Sequence, residues 1–140
     1  MSEAKEIVRK VEEAWARSDL ASLDELISAD VKNNDAPPGF PSGLEGAKFG
    51  HSMFMASFPD RSMQIHQIIG DGDLVAVRSS VQGTHTGAPF LGLPASGRQI
   101  NIEAVSIYRV AGGKVVEHWG LNDGMTLMMQ LGIVKPPVPA

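Results

Sequence analysis

Asp123 is the residue of this sequence best placed to do chemistry. It follows Gly113-Lys-Val-Val-Glu-His-Trp119, a turn and then a strand pattern, and precedes Met125–Leu131, whose apolar residues recur at helical spacing. Side chains alternate between two faces of a strand, so we predict that Glu117, Trp119 and Asp123 project to one side. A carboxylate that loses hydration beside an indole has a raised pKa, as a general base requires. We therefore predict an acid/base role for Asp123.

The same position also allows a structural role for Asp123. At the start of the last predicted helix its carboxylate could accept backbone N–H bonds, which stabilise the anion and lower the pKa. Catalysis and helix capping both stay open for this residue.

Other polar side chains carry similar alternatives. His85, in Gly-Thr-His-Thr-Gly, either holds a loop by a hydrogen bond or contacts a substrate. Arg78 either pairs with a carboxylate such as Glu103 on the neighbouring strand or binds an enolate. His118 alternates with Trp119, so we expect it on the other side of the sheet. The four histidines show no H-x-H or H-E-x-x-H spacing, and we predict that no metal is needed.

Length and composition limit the classes of protein. The 140 residues fit one domain, residues 1–140, and 43% hydrophobic content is typical of a globular chain. A net charge of −4, with 12 scattered basic residues, argues against nucleic acid as a partner. No apolar run approaches the roughly 18 residues of a membrane helix, so we expect no membrane partner. The sequence has no Cys and no signal-peptide pattern at its start, which favours a cytoplasmic location.

The order of predicted elements is that of an α+β domain, with helices first, an antiparallel meander next and a short helix last. Ser22 and Glu25 form a capping-box pattern at the start of the second helix. The predicted elements are a helix over Ser2–Arg17, a short helix ending near Ser28, an extended segment Val31–Asp35, a helix over Leu44–Ala56, strands Met63–Ile69, Leu74–Gln82 and about Gln99–Val110, a fourth strand after Gly113, and the last helix.

Methionine and phenylalanine are abundant for a small domain. Since Met fills irregular space and tolerates varied ligands, they indicate either a soft core or a pocket for a flat apolar molecule. Trp15, on the apolar stripe of the first helix, is expected in the core or in a pocket wall. The loop Ala88–Arg98, rich in Gly and Pro, could close over such a pocket.

Several motifs in register resemble the SnoaL-like polyketide cyclases of the NTF2-like group. They are Gly83-Thr-His-Thr-Gly87, Pro89-Phe-Leu-Gly-Leu-Pro-Ala-Ser-Gly-Arg98, Gly113-Lys-Val-Val-Glu-His-Trp119, Asp123 and Gln130-Leu-Gly132. The resemblance implies a cone in which a strongly curved antiparallel sheet packs on N-terminal helices and a short C-terminal helix, around an internal apolar pocket. It also implies self-association through the outer sheet face, as a homodimer or a higher homo-oligomer.

The implied reaction is an intramolecular aldol ring closure of a polyketide ester, with an acid/base carboxylate and no cofactor. Asp123 lies where the family's acid/base Asp falls. Asn34 replaces the His of an Asn-His pair that many relatives carry, and an amide cannot take up a proton near neutral pH. We expect contacts to a small apolar or aromatic substrate from Asn34, Arg78, His85, Trp119, Trp15, Phe54 and Met125.

Other functions use the same scaffold, because one fold hosts many activities. A cofactor-free isomerase, dehydratase or epoxide hydrolase is one alternative. A small-molecule-binding protein or a non-catalytic partner of an oxygenase is another, and a structural module with a filled pocket is the third.

Overall fold

The computed structural model describes residues 2–138. In this range helices pack on a five-stranded sheet, as expected of an α+β fold. In chain order the elements are α1 (Glu3–Arg17), α2 (Leu23–Leu26), β1 (Ile27–Asn33), α3 (Gly43–Ser57), β2 (Ser62–Asp71), β3 (Leu74–Thr84), β4 (Gln99–Ala111), β5 (Lys114–Asn122) and α4 (Gly124–Gln130).

The sheet is curved and mixed, with the strand order β1-β5-β4-β3-β2. Strands β2 to β5 form the predicted antiparallel meander. The expectation of a wholly antiparallel sheet is corrected at β1, which runs parallel to β5. After β1 the chain passes through α3 and enters the sheet at β2, on the edge opposite β1. Strands β3, β4 and β5 then cross the sheet in order, so that β5 comes to lie beside β1. The first strand therefore pairs with the last.

Helix α1 lies against the sheet through the apolar stripe predicted from the sequence. Ser2 caps it by accepting a hydrogen bond from the Lys5 backbone N–H at 3.2 Å. Val8, Val11 and Ala14 are fully buried in the main apolar core. This packing also holds Trp15, the next residue of the stripe, against the core.

A β-bulge in β5 decides which side chains face the helices. Arg109 pairs with Glu117, but Val110 pairs with Val115, so β5 has one more residue than β4 at this point. An extra residue reverses the faces beyond it. Val115 therefore shares the inner face with His118, whereas Glu117, Trp119 and Leu121 lie on the outer face.

No helix in the described range 2–138 is long and apolar enough to cross a membrane.

Candidate active site

A cavity of about 320 Å³ lies between the helices and the inner face of the sheet. Strands β1, β3, β4 and β5 contribute to its walls, and the loop after β1 forms one side through Asp35, Pro37 and Phe40. Most of the lining is apolar, and Trp15 is among these side chains. Its polar side chains are Glu12, Asn33, Asp35, His51, Arg61, Ser79, Ser106, Tyr108 and His118.

Asp35 and His118 form a hydrogen-bonded pair in the cavity wall. His118 Nδ1 lies 3.1 Å from Asp35 Oδ1. Partial burial disfavours the anion and so raises the pKa of Asp35. The hydrogen bond from His118, the attraction of a positive charge on His118 and a backbone hydrogen bond lower this pKa by more, and the net shift is downward. Asp35 is therefore an anion at neutral pH, and it fixes the orientation of the imidazole.

Gly120 makes room for this pair. A Cβ atom at Gly120 would lie 2.7 Å from Asp35 Oδ2 and 2.9 Å from His118 Cε1. Both distances are shorter than van der Waals contact. A residue with a side chain at this position would displace the Asp35 carboxylate, the His118 ring or both.

Glu12 and Tyr108 form a second polar pair in the same cavity. The Tyr108 hydroxyl donates to Glu12 Oε1, and only 4% of Glu12 is exposed. Burial raises the Glu12 pKa, although the Tyr108 hydrogen bond and the charges of His118 and Arg61 oppose it. Burial, the Glu12 charge and the Glu12 hydrogen bond also raise the pKa of Tyr108 well above its usual range. The ring centroids of Tyr108 and His118 are 4.8 Å apart, so the two polar pairs are neighbours.

Arg61 and His51 line the cavity beside Trp15. Arg61 Nη1 donates to the Trp15 carbonyl oxygen at 3.2 Å. Burial lowers the Arg61 pKa, and the negative charge of Glu12 partly offsets this shift. A guanidinium nevertheless stays protonated at neutral pH. Burial and the Arg61 charge lower the His51 pKa to about 4, so this imidazole is neutral. Arg61 is thus the positive charge on this side of the cavity.

Asp123 lies outside the set of residues that line this cavity. Its carboxylate caps α4, accepting from the Thr126 backbone N–H at 3.1 Å and from Thr126 Oγ1 at 2.6 Å. These two hydrogen bonds lower its pKa, the opposite of what a general base requires. The acid/base role of Asp123 stays a prediction that the geometry does not favour.

Trp119 and His118 do lie on opposite sides of β5, but the cavity is on the side of His118. Trp119 faces the outer surface, where Arg109 stacks over its ring at 5.9 Å from the centroid. It lines a second cavity, of about 340 Å³, together with Val105, Ile107, Leu121 and the Asn34–Asp35 segment. The bulge in β5 accounts for the reversal.

Asn34 and Arg78 are held by protein partners. Asn34 Nδ2 donates to Glu117 Oε2 and to the His118 carbonyl oxygen, both at 3.1 Å. Arg78 forms an ion pair with Glu103 at 2.6 Å, which confirms the cross-strand pairing considered from the sequence. A contact of either residue with a substrate stays a prediction.

The remaining predicted contact residues lie away from the inner cavity, the one between the helices and the sheet. His85 is fully buried and bonds Ser96 Oγ and the Ala88 carbonyl oxygen, so it holds the loop after β3. Phe54 belongs to a second apolar cluster with Phe58, and Met125 is 60% exposed. None of these three side chains lines the inner cavity, nor does any residue of the loop 88–98.

Sequence reasoning missed Glu12, Asp35 and Arg61. Glu12 carried a detectable signal, because it lies within the apolar stripe of α1, four residues after Val8 and three before Trp15. A carboxylate on a buried helix face needs a partner or a function. Asp35 and Arg61 gave no such signal, since their neighbours come from other elements.

The pattern of the SnoaL-like polyketide cyclase family matches residues 5–131. The chain belongs to this family. Its fold is also that of TsrD from Streptomyces laurentii, with a TM-score of 0.83 at 23% identity over 94% of this chain and 96% of that one. No curated protein matches the chain.

Two solved structures share more sequence with this SnoaL-like chain. IdmH from Streptomyces antibioticus, described as a proposed polyketide cyclase, is 35% identical over 92% of this chain and 98% of its own, with a TM-score of 0.79. AclR from Streptomyces galilaeus, described as a proposed hydroxylase, is 30% identical over 99% of this chain and 86% of its own, with a TM-score of 0.81.

The described residues 2–138 hold no group of three or more His, Cys, Asp or Glu side chains arranged as metal ligands.

Proposed function

We propose that this protein closes a ring in a polyketide-like substrate by an intramolecular aldol reaction, with His118 as the general base and Asp35 as its orienting partner. The observation that carries the proposal is the Asp35–His118 pair in the wall of a largely apolar cavity. Its membership of a family of polyketide cyclases supports the same chemistry. The site is thus assigned to the inner cavity, away from Asp123.

The base acts through Nε2 of His118. We assign the ring proton to Nδ1, because Nδ1 faces the anionic Asp35. Within residues 2–138 no hydrogen bond to Nε2 is recorded, so this nitrogen is free to accept a proton from a carbon next to a substrate carbonyl. The Asp35 carboxylate then stabilises the imidazolium that forms.

Ring closure follows within the bound substrate. The enolate carbon attacks a second carbonyl carbon of the same molecule, which forms the carbon–carbon bond and leaves an alkoxide. The alkoxide takes a proton back from His118, so protons and charge balance without a cofactor.

The Glu12–Tyr108 pair supplies a second group able to hold a proton. Burial raises the pKa of Glu12, and this carboxyl lies close enough to His118 for a charge on the imidazole to oppose that shift. Asn34 lacks this capacity, and the two polar pairs of the cavity provide it instead.

Turnover of a probe panel tests the proposal. Aromatic triketones, as free acids and as methyl esters, are incubated with wild-type protein, and the new ring is followed by absorbance and mass. His118→Gln should lower the rate about 100-fold with an unchanged melting temperature, because one positioned acid/base group contributes roughly that factor. His66→Gln, the same change at an exposed histidine of β2 outside the cavity lining, is the matched control and should keep the rate. Equal rates for wild type and His118→Gln would refute the proposal.

A second candidate function comes from the likeness to AclR, the proposed hydroxylase. Hydroxylation in the same cavity, with dioxygen as the oxidant and a two-electron reductant added to the assay, would add the mass of one oxygen atom to the probe and release the other as water. An aldol closure followed by dehydration would instead remove the mass of water. Mass spectrometry of the products therefore separates the two functions. Probe binding without turnover in the wild type would favour a small-molecule-binding role.

A further inference from the structure

We propose that Arg61 binds an anionic oxygen of the ligand, so that the cavity selects a substrate with a free carboxylate over its neutral ester. The inference rests on the proposed function for the class of ligand, a flat polyketide-like molecule. It departs from the polyketide ester that the family resemblance implies, because it assigns that molecule a free carboxylate. The evidence is the unpaired guanidinium in the cavity wall.

Within the described residues the Arg61 side chain makes two hydrogen bonds, and neither partner is an anion. Nη1 donates to the Trp15 carbonyl oxygen at 3.2 Å, and Nη2 approaches Met63 Sδ at 3.5 Å. Within the described residues, no ion pair within 4.0 Å joins its guanidinium to a carboxylate. A guanidinium has more N–H donors than these two contacts use.

Both acidic side chains of the cavity already have hydrogen-bond partners. Asp35 is bonded by His118, and Glu12 accepts from Tyr108. Glu12 attracts Arg61 only from beyond ion-pair distance, and burial raises the pKa of Glu12. His51, the other ionisable side chain beside Arg61, is neutral at pH 7. The cavity's own side chains therefore compensate the positive charge of Arg61 poorly.

A half-buried cation of this kind favours an anionic ligand. Removing an unpaired charge from water costs free energy, and a bound carboxylate recovers it through short, charge-assisted hydrogen bonds. The planar guanidinium suits carboxylate geometry, and an ester cannot supply the charge. A substrate acid held at Arg61 would lie in the same cavity as the His118 base.

Arg61 also has a structural role to be separated from binding. The Trp15 carbonyl belongs to the last turn of α1, where a cation stabilises the end of a helix. Loss of that contact would lower the melting temperature. It would not change the preference between an acid and its ester.

The test compares 2-naphthoate with methyl 2-naphthoate by calorimetric titration at pH 7. Wild-type protein should bind the acid at least about 10-fold more tightly than the ester, as one charge-assisted contact implies. Arg61→Gln should bind both equally, and Arg61→Lys should keep part of the preference. Arg17→Gln, at the exposed ion pair with Asp19 outside the cavity lining, is the control and should behave as wild type.

Two outcomes would overturn the inference: a wild type that binds the ester as tightly as the acid, or an Arg61→Gln variant that keeps the preference for the acid. If Arg61→Gln does not fold, a crystal structure of the wild type with 2-naphthoate decides, since the inference requires a carboxylate oxygen in hydrogen-bond contact with Arg61. The same titration in His118→Gln separates this inference from ring closure. A retained acid preference without turnover in the wild type would refute only the proposed reaction.

Discussion

Two carboxyl groups of one cavity have their pKa values moved in opposite directions. Asp35 has a lowered pKa, because its hydrogen bond and attraction to His118, with a backbone hydrogen bond, outweigh burial. Glu12 has a raised pKa, because burial outweighs its hydrogen bond and nearby charges. Pairs of acids separated in this way are typical of acid/base sites. Asp35 suits the role of an anion that orients a base, and Glu12 that of a neutral acid.

The raised pKa of Glu12 predicts a pH-dependent gain in stability for Glu12→Gln. Below the unfolded-state value of about 4.5, Glu12 is protonated in both states and burying it carries no charge penalty. As pH rises through the raised folded-state pKa, the unfolded state loses its proton first, and the wild type loses stability. The amide oxygen introduced by Glu12→Gln still accepts from Tyr108 but carries no charge. The melting temperature of this variant should therefore exceed that of the wild type at pH 7 to 8.

Thermal unfolding of both proteins from pH 4 to pH 8 measures this difference. The advantage of Glu12→Gln should shrink toward zero at the acidic end. Glu13→Gln, at the exposed neighbouring position of α1, is the control and should show no comparable trend. A constant loss of stability in Glu12→Gln at every pH would contradict the assigned shift.

At the residue scale, local pairings could be predicted and long-range ones could not. Cross-strand geometry indicated the Arg78–Glu103 pair, and a loop setting indicated the structural alternative for His85. Asp35 and His118 are 83 residues apart. No sequence period connects residues of different elements, so their contact could not be derived from spacing.

At the scale of elements, one bulge accounts for most of the difference between the predicted and observed site. Strict alternation along β5 groups Val115 with Glu117 and Trp119. The structure places Val115 on the inner face with His118, because the register shifts where Val110 pairs with Val115. Nothing in a Gly-Gly-Lys-Val-Val-Glu pattern specifies such a shift, and with it Val115 and the inner cavity lie on the side of His118 rather than of Trp119.

Helix ends were more predictable than strand faces. Ser2 caps α1, and Asp123 takes up the capping role that was one of its two alternatives. The capping box at Ser22 does not form, because Ser22 Oγ donates to Asp19 Oδ2 at 2.6 Å instead. Helix α2 ends at Leu26, earlier than predicted, since β1 begins at the next residue.

Gly120 provides a prediction for the β5 element. Ala at this position should displace the Asp35–His118 pair and lower the ring-closing rate by about 10-fold or more, because the base loses its orientation. Gly in a strand is otherwise unfavourable, so the substitution should not unfold the protein through its backbone.

Gly124→Ala is the matched control for Gly120→Ala. A Cβ atom there comes no closer than 3.5 Å, to Asn122 Oδ1, and its rate should equal that of the wild type. Rates and melting temperatures are measured together. A Gly120→Ala variant with full activity would show that the pair is not required.

At the scale of the whole molecule, the sheet separates two apolar environments. The inner face covers the core and the inner cavity, and the outer face of β4 and β5 leaves Val105, Ile107 and Leu121 exposed. The order of helices and strands was sufficient to predict the fold class. The parallel position of β1 was not predicted, because it depends on where the chain crosses the sheet.

The exposed outer face predicts a homodimer in solution. Leu121 is 81% exposed beside Trp119, and burial of such a face drives association. Leu121→Glu should give a monomer in light scattering at low micromolar concentration, whereas Leu91→Glu, on the exposed loop after β3, should not change the mass. A wild type that is monomeric under these conditions would contradict the prediction.

The cytoplasmic location also stays a prediction.

The central claim, that His118 rather than Asp123 removes a proton from carbon, can be measured without the natural substrate. The methyl protons of 2-acetonaphthone exchange slowly with D2O, and ¹H NMR follows their loss. Wild-type protein should accelerate this exchange over buffer. His118→Gln should lose about 100-fold of the acceleration, and Asp123→Asn should keep it, because Asn also caps α4. Exchange that persists in His118→Gln and disappears in Asp123→Asn would contradict the claim.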